Sequence, residues 1–105
     1  MTSAQIAATR RLLGLTADQL GDELGINPRT IRGWEAGKYA PSPSAEAALL
    51  ALRSEHDAEL DVLITEAAAG PVEVPSGPRE RSWYLALAAR LIDRLPAAQI
   101  EWRAE

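Results

Sequence analysis

Thr16 to Pro41 reads TADQLGDELGINPRTIRGWEAGKYAP, and this stretch decides the fold. Thr16 followed by Gln19 is a capping-box pair that opens a helix carrying Leu20 and Leu24 inward. Gly25 tolerates the left-handed conformation that stops it. Asn27 then caps a second helix, and Pro28 takes the first helical position, where a missing N–H costs no hydrogen bond. Ile31 and Trp34 face the core, and Gly37 ends the helix. Two short helices around a Gly-centred turn, the second opening on polar and basic residues, have the layout of a helix-turn-helix, whose second helix enters the DNA major groove.

Working outward, Ser3 to Leu13 forms a preceding helix with Ile6, Leu12 and Leu13 inward and Gly14 as its stop. Ser42 and Pro43 repeat the cap-then-proline signal. The stripe Leu49, Leu52, His56, Leu60, Leu63 and Ala67 steps by three and four residues, which predicts a helix from Pro43 to Ala69. At 1.5 Å per residue that helix is roughly 40 Å long, so its second half needs something to pack against. GPVEVPSGP, residues 70–78, breaks it. A further helix over Glu80 to Leu95 carries Trp83, Leu87, Leu91 and Leu95 at one-turn spacing, with Tyr84, Ala88 and Ile92 alongside. Val72 and Val74, and later Ile100 and Trp102, alternate like strands; two strands this short are unstable alone and pair with each other or across a dimer.

The chain has 105 residues and a net charge of −4, which looks wrong for a DNA binder until its distribution is read. Arg10, Arg11, Arg29, Arg32 and Lys38 face only Asp18, Asp22, Glu23 and Glu35 in residues 1–41, a surplus of one cation, while residues 42–105 carry the acid. Low overall charge implies weak sequence-independent binding and reliance on base contacts. There are no cysteines, hence no disulfide and no thiolate metal site. Neither a signal peptide nor an apolar run of spanning length is visible, and a cytoplasmic setting is expected.

LGLTADQLGDELGINPRTIRGWEAGKYAPS resembles the Cro/CI, or Xre, helix-turn-helix family of bacterial and phage regulators. The family pattern, L-G-L-(S/T)-x-x-(E/Q)-L-A-x-x-L-G-(V/I), continues through the (W/L)-E-x-G and the following Pro, and nearly every slot is filled. Gly21 stands where Ala is usual. The resemblance covers about residues 4–68. It implies a mainly α fold: a five-helix lambda-repressor-like DNA-binding domain over residues 1–68, with a long last helix, and a small C-terminal helix with one or two short strands over 69–105. The later W-Y and A-A-R-L residues resemble a subgroup with a C-terminal dimerisation domain, which includes YdiL-like proteins and autorepressors encoded beside anti-CRISPR genes.

Asn27, Pro28, Arg29, Arg32 and Gly33 are the residues expected to be exposed at the start of the recognition helix. Arg binds guanine O6 and N7 bidentately, so Arg29 and Arg32 are the base-reading candidates, with phosphate contact as the alternative. Pro28 can touch a thymine methyl or simply open the helix. Gly33 either brings the helix closer to the bases or leaves one position unread. Thr16 and Ala17, at a helix N-terminus, are candidates for phosphate, together with Arg11, Lys38 and Tyr39; Tyr39 packing on the domain edge is the competing reading. The resemblance implies that Arg10 pairs with Glu35 as a structural ion pair.

His56, the only histidine, lies on the apolar stripe without the partners that catalysis or a metal site needs. It is read as packed near a dimer seam. Glu55, Asp57, Glu59 and Asp61 alternate around the long helix and read as a solvated face. Leu60, Leu63, Trp83, Tyr84, Leu87, Leu91 and Trp102 are expected at a dimer interface, a small-molecule pocket being the lesser alternative. The expectation is a homodimeric repressor of an inverted-repeat operator in double-stranded DNA, not an enzyme, with no cofactor, metal or membrane; that it represses its own promoter is what the family resemblance implies. Its alternatives are an antitoxin whose C-terminal part binds a toxin, and a protein-interaction adaptor.

Overall fold

The computed structural model describes residues 1–104. Its elements follow as α1 Ser3–Leu12, α2 Ala17–Leu24, α3 Pro28–Glu35, α4 Pro43–Ala69, β1 Val72–Val74, α5 Arg81–Arg94 and β2 Ile100–Trp102. Four of the five helices lie in residues 1–69, because Pro43–Ala69 run unbroken, and the fifth is α5. No helix among the described residues is long and apolar enough to cross a membrane.

Local chemistry sets the helix starts. Thr2 with Gln5 and Thr16 with Gln19 form reciprocal capping boxes on α1 and α2. Asn27 accepts from the Arg29 N–H at 2.8 Å to cap α3, and Ser42 accepts from the Ala45 N–H at 3.2 Å to cap α4. Pro28 and Pro43 occupy first-turn positions. Gly21 allows the α2–α3 crossing: a Cβ there would lie 2.5 Å from the Ile26 carbonyl oxygen and 3.3 Å from the Pro28 ring. The small residue at this slot is therefore fitted to glycine, not merely to small size.

α1, α2 and α3 pack around Ile6, Leu13, Leu20, Ile31 and Trp34, closed by Leu49 of α4. The second half of α4 packs on α5 and β1. The strands pair with each other, in parallel, with Val72 opposite Ile100 and Val74 opposite Trp102, and α5 makes the crossover between them. One apolar cluster runs from Ile6 of α1 to Leu91 of α5, so the segments on either side of residue 68 share a core rather than standing apart.

This packing corrects the expected dimer interface. Leu60, Leu63, Trp83, Tyr84, Leu87 and Leu91 are all buried within the monomer, where α5 covers the α4 stripe. Of the seven residues, only Trp102 is exposed, with Arg81 stacked over its ring at 4.1 Å. Leu85 and Ile92 of α5, and Leu95 just after it, are large apolar side chains left at the surface.

His56 also belongs to this core, not to a dimer seam. It is fully buried and meets the Trp83 ring edge-on at 4.5 Å. Arg90 Nη1, a donor only, lies 2.8 Å from His56 Nδ1, so Nδ1 accepts and the proton sits on Nε2, which donates to the Trp83 carbonyl at 3.2 Å. Burial drives the imidazole pKa down to about 4, against the Trp83 hydrogen bond and with help from the Arg90 charge.

The acidic run of α4 is part solvated and part paired: Glu55 and Asp61 are exposed, while three of its four acids bind partners. Asp57 accepts from Arg90 at 2.8 Å and from Arg53 at 3.0 Å. Burial alone would raise its pKa, but these two hydrogen bonds outweigh burial and hold it below the ordinary value. Glu59 accepts from the Trp83 indole N–H at 2.5 Å. Glu55 binds Arg79, whose guanidinium also lies 3.3 Å from Glu23 of α2 and 4.3 Å from the Trp83 ring centroid.

α5 approaches the turn between α1 and α2 closely at Gly14. Gly14 has φ +74°, and a Cβ there would sit 2.1 Å from the Ser82 carbonyl oxygen and 2.9 Å from Ala86 Cβ. The Ser82 hydroxyl reaches Gln19 of the α2 capping box at 3.4 Å. Gly14→Ala should therefore cost about 1–3 kcal/mol from the backbone conformation alone, and more as α5 is displaced. Urea unfolding followed by tryptophan fluorescence measures this, and an unchanged midpoint would disprove the docking.

His56 generates a second expectation. Between pH 6.5 and about 4 the unfolded chain takes up a proton that native His56 refuses. The stability present above that window is lost as pH falls through it, by about 3 kcal/mol in all. Asp57, with a carboxylate pKa below its ordinary 3.8, contributes mainly beneath it. His56→Gln, which keeps one donor and one acceptor, should flatten the fall in urea midpoint across this range.

Candidate nucleic-acid interface

The surface is built on α3, whose inner face is fixed by Ile31 and Trp34, both buried. Arg10 of α1 holds this helix in place. Its Nε and Nη2 donate to the two Glu35 oxygens at 2.6 and 2.8 Å, and Nη1 donates to the Leu15 carbonyl at 3.0 Å. The hydrogen bond to Glu35 raises the Arg10 pKa despite partial burial, so the fork stays charged. One guanidinium thus joins α1, the turn before α2, and the end of α3.

With the inner face fixed, Arg29 and Arg32 project outward and are exposed, as are Asn27, Arg11, Lys38 and Tyr39. Asn27 faces solvent, but its amide oxygen is engaged in capping. Pro28 is half-buried, with its ring set against Gly21, which suits a helix opener. The α3 C-terminus closes with Lys38 N–H donating to the Gly33 carbonyl at 2.9 Å and Gly37 N–H donating to that of Trp34 at 3.1 Å, with Gly37 at φ +75°, a paired Schellman closure.

That closure folds Tyr39 back over Gly33. A Cβ on Gly33 would lie 2.3 Å from Tyr39 Cζ and Oη, and Gly33 is buried while Tyr39 remains 48% exposed. Gly33 is therefore neither an open slot nor a point of closer helix approach: the phenol of Tyr39 fills it. The aromatic ring six residues later belongs to the outer face of α3, a placement that helical periodicity cannot reveal because Tyr39 lies beyond the helix.

At the start of α2, Thr16 is exposed and Ala17 largely buried. The capping box engages the Thr16 and Gln19 N–H groups, which leaves those of Ala17 and Asp18 as the first-turn donors without an intrahelical partner. Asp18 was not singled out from the sequence, yet its Oδ1 lies 3.2 Å from Arg32 Nη2. An acid in the first turn of one helix and a base in the next carry no sequence signal for pairing, because their contact depends on how α2 and α3 cross.

Removing one side of the Arg10–Glu35 pair leaves a partly buried charge unpartnered. Arg10→Met should cost about 3 kcal/mol and Arg10→Met with Glu35→Leu markedly less, since the second change removes the stranded carboxylate. Thermal or urea unfolding of the two variants decides this, and equal losses would show that the pair has no special coupling.

With this geometry in place, comparison with known proteins agrees. No curated protein matches the chain. Residues 6–45, from α1 to the first turn of α4, match the helix-turn-helix family, and the N-terminal part of the chain is a helix-turn-helix domain.

Proposed function

We propose that the protein is a sequence-specific transcriptional repressor that binds an inverted-repeat operator as a homodimer in the cytoplasm and controls its own promoter. The observation that carries this reading is the pair of exposed arginines, Arg29 and Arg32, on a helix whose inner face and C-terminus are locked by Trp34 and the Arg10–Glu35 fork. A rigid helix presenting bidentate donors suits guanine readout in the major groove. Arg11, Lys38, Tyr39 and the Thr16–Ala17 turn serve the phosphates on this reading, which fixes register without reading sequence.

Dimerisation gives two recognition helices and hence a two-fold operator, with half-sites about one helical turn apart. The surface for it lies on the C-terminal segment, where Leu85, Ile92, Leu95 and Trp102 remain exposed. The packing of α5 against α4 favours the repressor over an antitoxin, whose partner-binding tail commonly folds only on its target. Autoregulation is supported by the family resemblance alone.

Selection from a random duplex library at near-physiological salt should return an inverted repeat. Arg32→Ala should then weaken binding by about 1–3 kcal/mol and relax the preference at one base pair per half-site. Folded protein that recovers no motif would refute the proposal. A recovered motif that Arg32→Ala leaves untouched would refute the role of Arg32.

A further inference from the structure

We propose that Asp18 is a specificity-determining residue: its carboxylate holds the Arg32 guanidinium toward the bases and discourages sequence-independent phosphate binding. The proposal rests on the reading of Arg32 as a base contact.

The contact spans two helices, from the second position of α2 to the recognition helix α3, with Asp18 Oδ1 3.2 Å from Arg32 Nη2. Both side chains are largely exposed, at 73% and 61%. An ion pair this exposed adds little to stability. Its consequence lies in what it does to the arginine. A free arginine carries much rotamer freedom, and phosphates compete with base edges for its donors in any DNA complex. The carboxylate occupies one of the five N–H donors and leaves the others of the fork free for guanine O6 and N7. Turning Arg32 aside to a phosphate breaks the pair, so a wrong base is penalised more heavily than it would be without Asp18. Pre-orientation also lowers the ordering cost of the correct contact.

The same carboxylate stands at the α2 N-terminus, beside the N–H groups of Ala17 and Asp18 that would receive a phosphate. A negative charge there repels the DNA backbone whatever its sequence. Asp18 therefore acts in one direction on both counts, reducing random binding and sharpening readout. The low charge of residues 1–41, with Asp18 among its four acids, fits a surface built for discrimination more than for adhesion.

The test measures binding of Asp18→Ala, Arg32→Ala and the double variant to the selected operator duplex and to a scrambled duplex of equal composition, at one fixed salt concentration. Asp18 is exposed, so the alanine variant should fold, and far-ultraviolet circular dichroism checks it. Asp18→Ala should bind scrambled DNA more tightly and reduce the operator-to-scrambled ratio by about tenfold. In the Arg32→Ala background the further loss of ratio should vanish, because the effect passes through Arg32. An unchanged ratio in Asp18→Ala overturns the proposal. So does an equal fall with and without Arg32, which would mean that Asp18 acts on the ratio by a route that does not pass through Arg32. If the wild-type protein prefers no sequence, the repressor reading fails and takes this inference with it; a selective wild type with an indifferent Asp18→Ala removes the inference alone.

Discussion

Everything at the candidate interface depends on one guanidinium. Arg10 satisfies both oxygens of Glu35 and the carbonyl of Leu15, and so couples α1 to the helix that presents Arg29 and Arg32. α3 is only eight residues long. A helix that short is marginal alone, and tertiary contact must supply both its existence and its direction. Ile31 and Trp34 supply the apolar part of that contact. The bidentate pair supplies an angular constraint that greasy packing lacks, because a planar fork meets a carboxylate well in only one orientation.

The second constraint is the fusion of the C-terminal segment to this scaffold. α5 is not appended by a flexible linker: it lies across α4, bridges through Arg79 to both Glu23 and Glu55, and sets its backbone on Gly14. Force on α5, from a second copy or from any other partner, reaches α2 within one contact, through Ser82 and Gln19. Because Gln19 belongs to the capping box of α2, the helix terminus nearest the expected phosphates is also the one nearest α5.

What was legible in the sequence follows from range. Thr16–Gln19, Asn27–Pro28 and Ser42–Pro43 act within three residues, and their residue types are almost sufficient to state their conformation. The helix boundaries could therefore be read directly. The α4 stripe was legible as a buried face, but periodicity says only that a face is covered, not by what. Leu60, Leu63, Trp83, Tyr84, Leu87 and Leu91 were thus assigned to a second chain when the partner was the same chain folded back. Of the pairing within the acidic run, the Arg53–Asp57 contact lies within four residues, but Arg79 and Arg90 stand more than twenty residues away and carry no local signal. At the interface, exposure of Arg29 and Arg32 was readable from the helix face. The seating of Tyr39 over Gly33 and the meeting of Asp18 with Arg32 were not, because a loop closure and an interhelix crossing set them.

This redistribution of charge also resolves the conflict between an acidic chain and a nucleic-acid partner. Of the acids in α4, Glu55, Asp57 and Glu59 are drawn into contacts with Arg79, Arg90 and Trp83, and Glu35 is held by Arg10. Arg10, Arg79 and Arg90 offset the charges of Glu35, Glu55 and Asp57 locally, so these three weigh little on a phosphate approaching α3. Arg11, Arg29 and Lys38 stay exposed, and the field at the reading surface is set by near neighbours within a Debye length of about 8 Å, not by the total of −4. Asp18 is an exposed acid set beside Arg32, the proposed base-reading side chain. On the reading of Arg32 as a base contact, the carboxylate beside it places repulsion where it can act on the choice of bases.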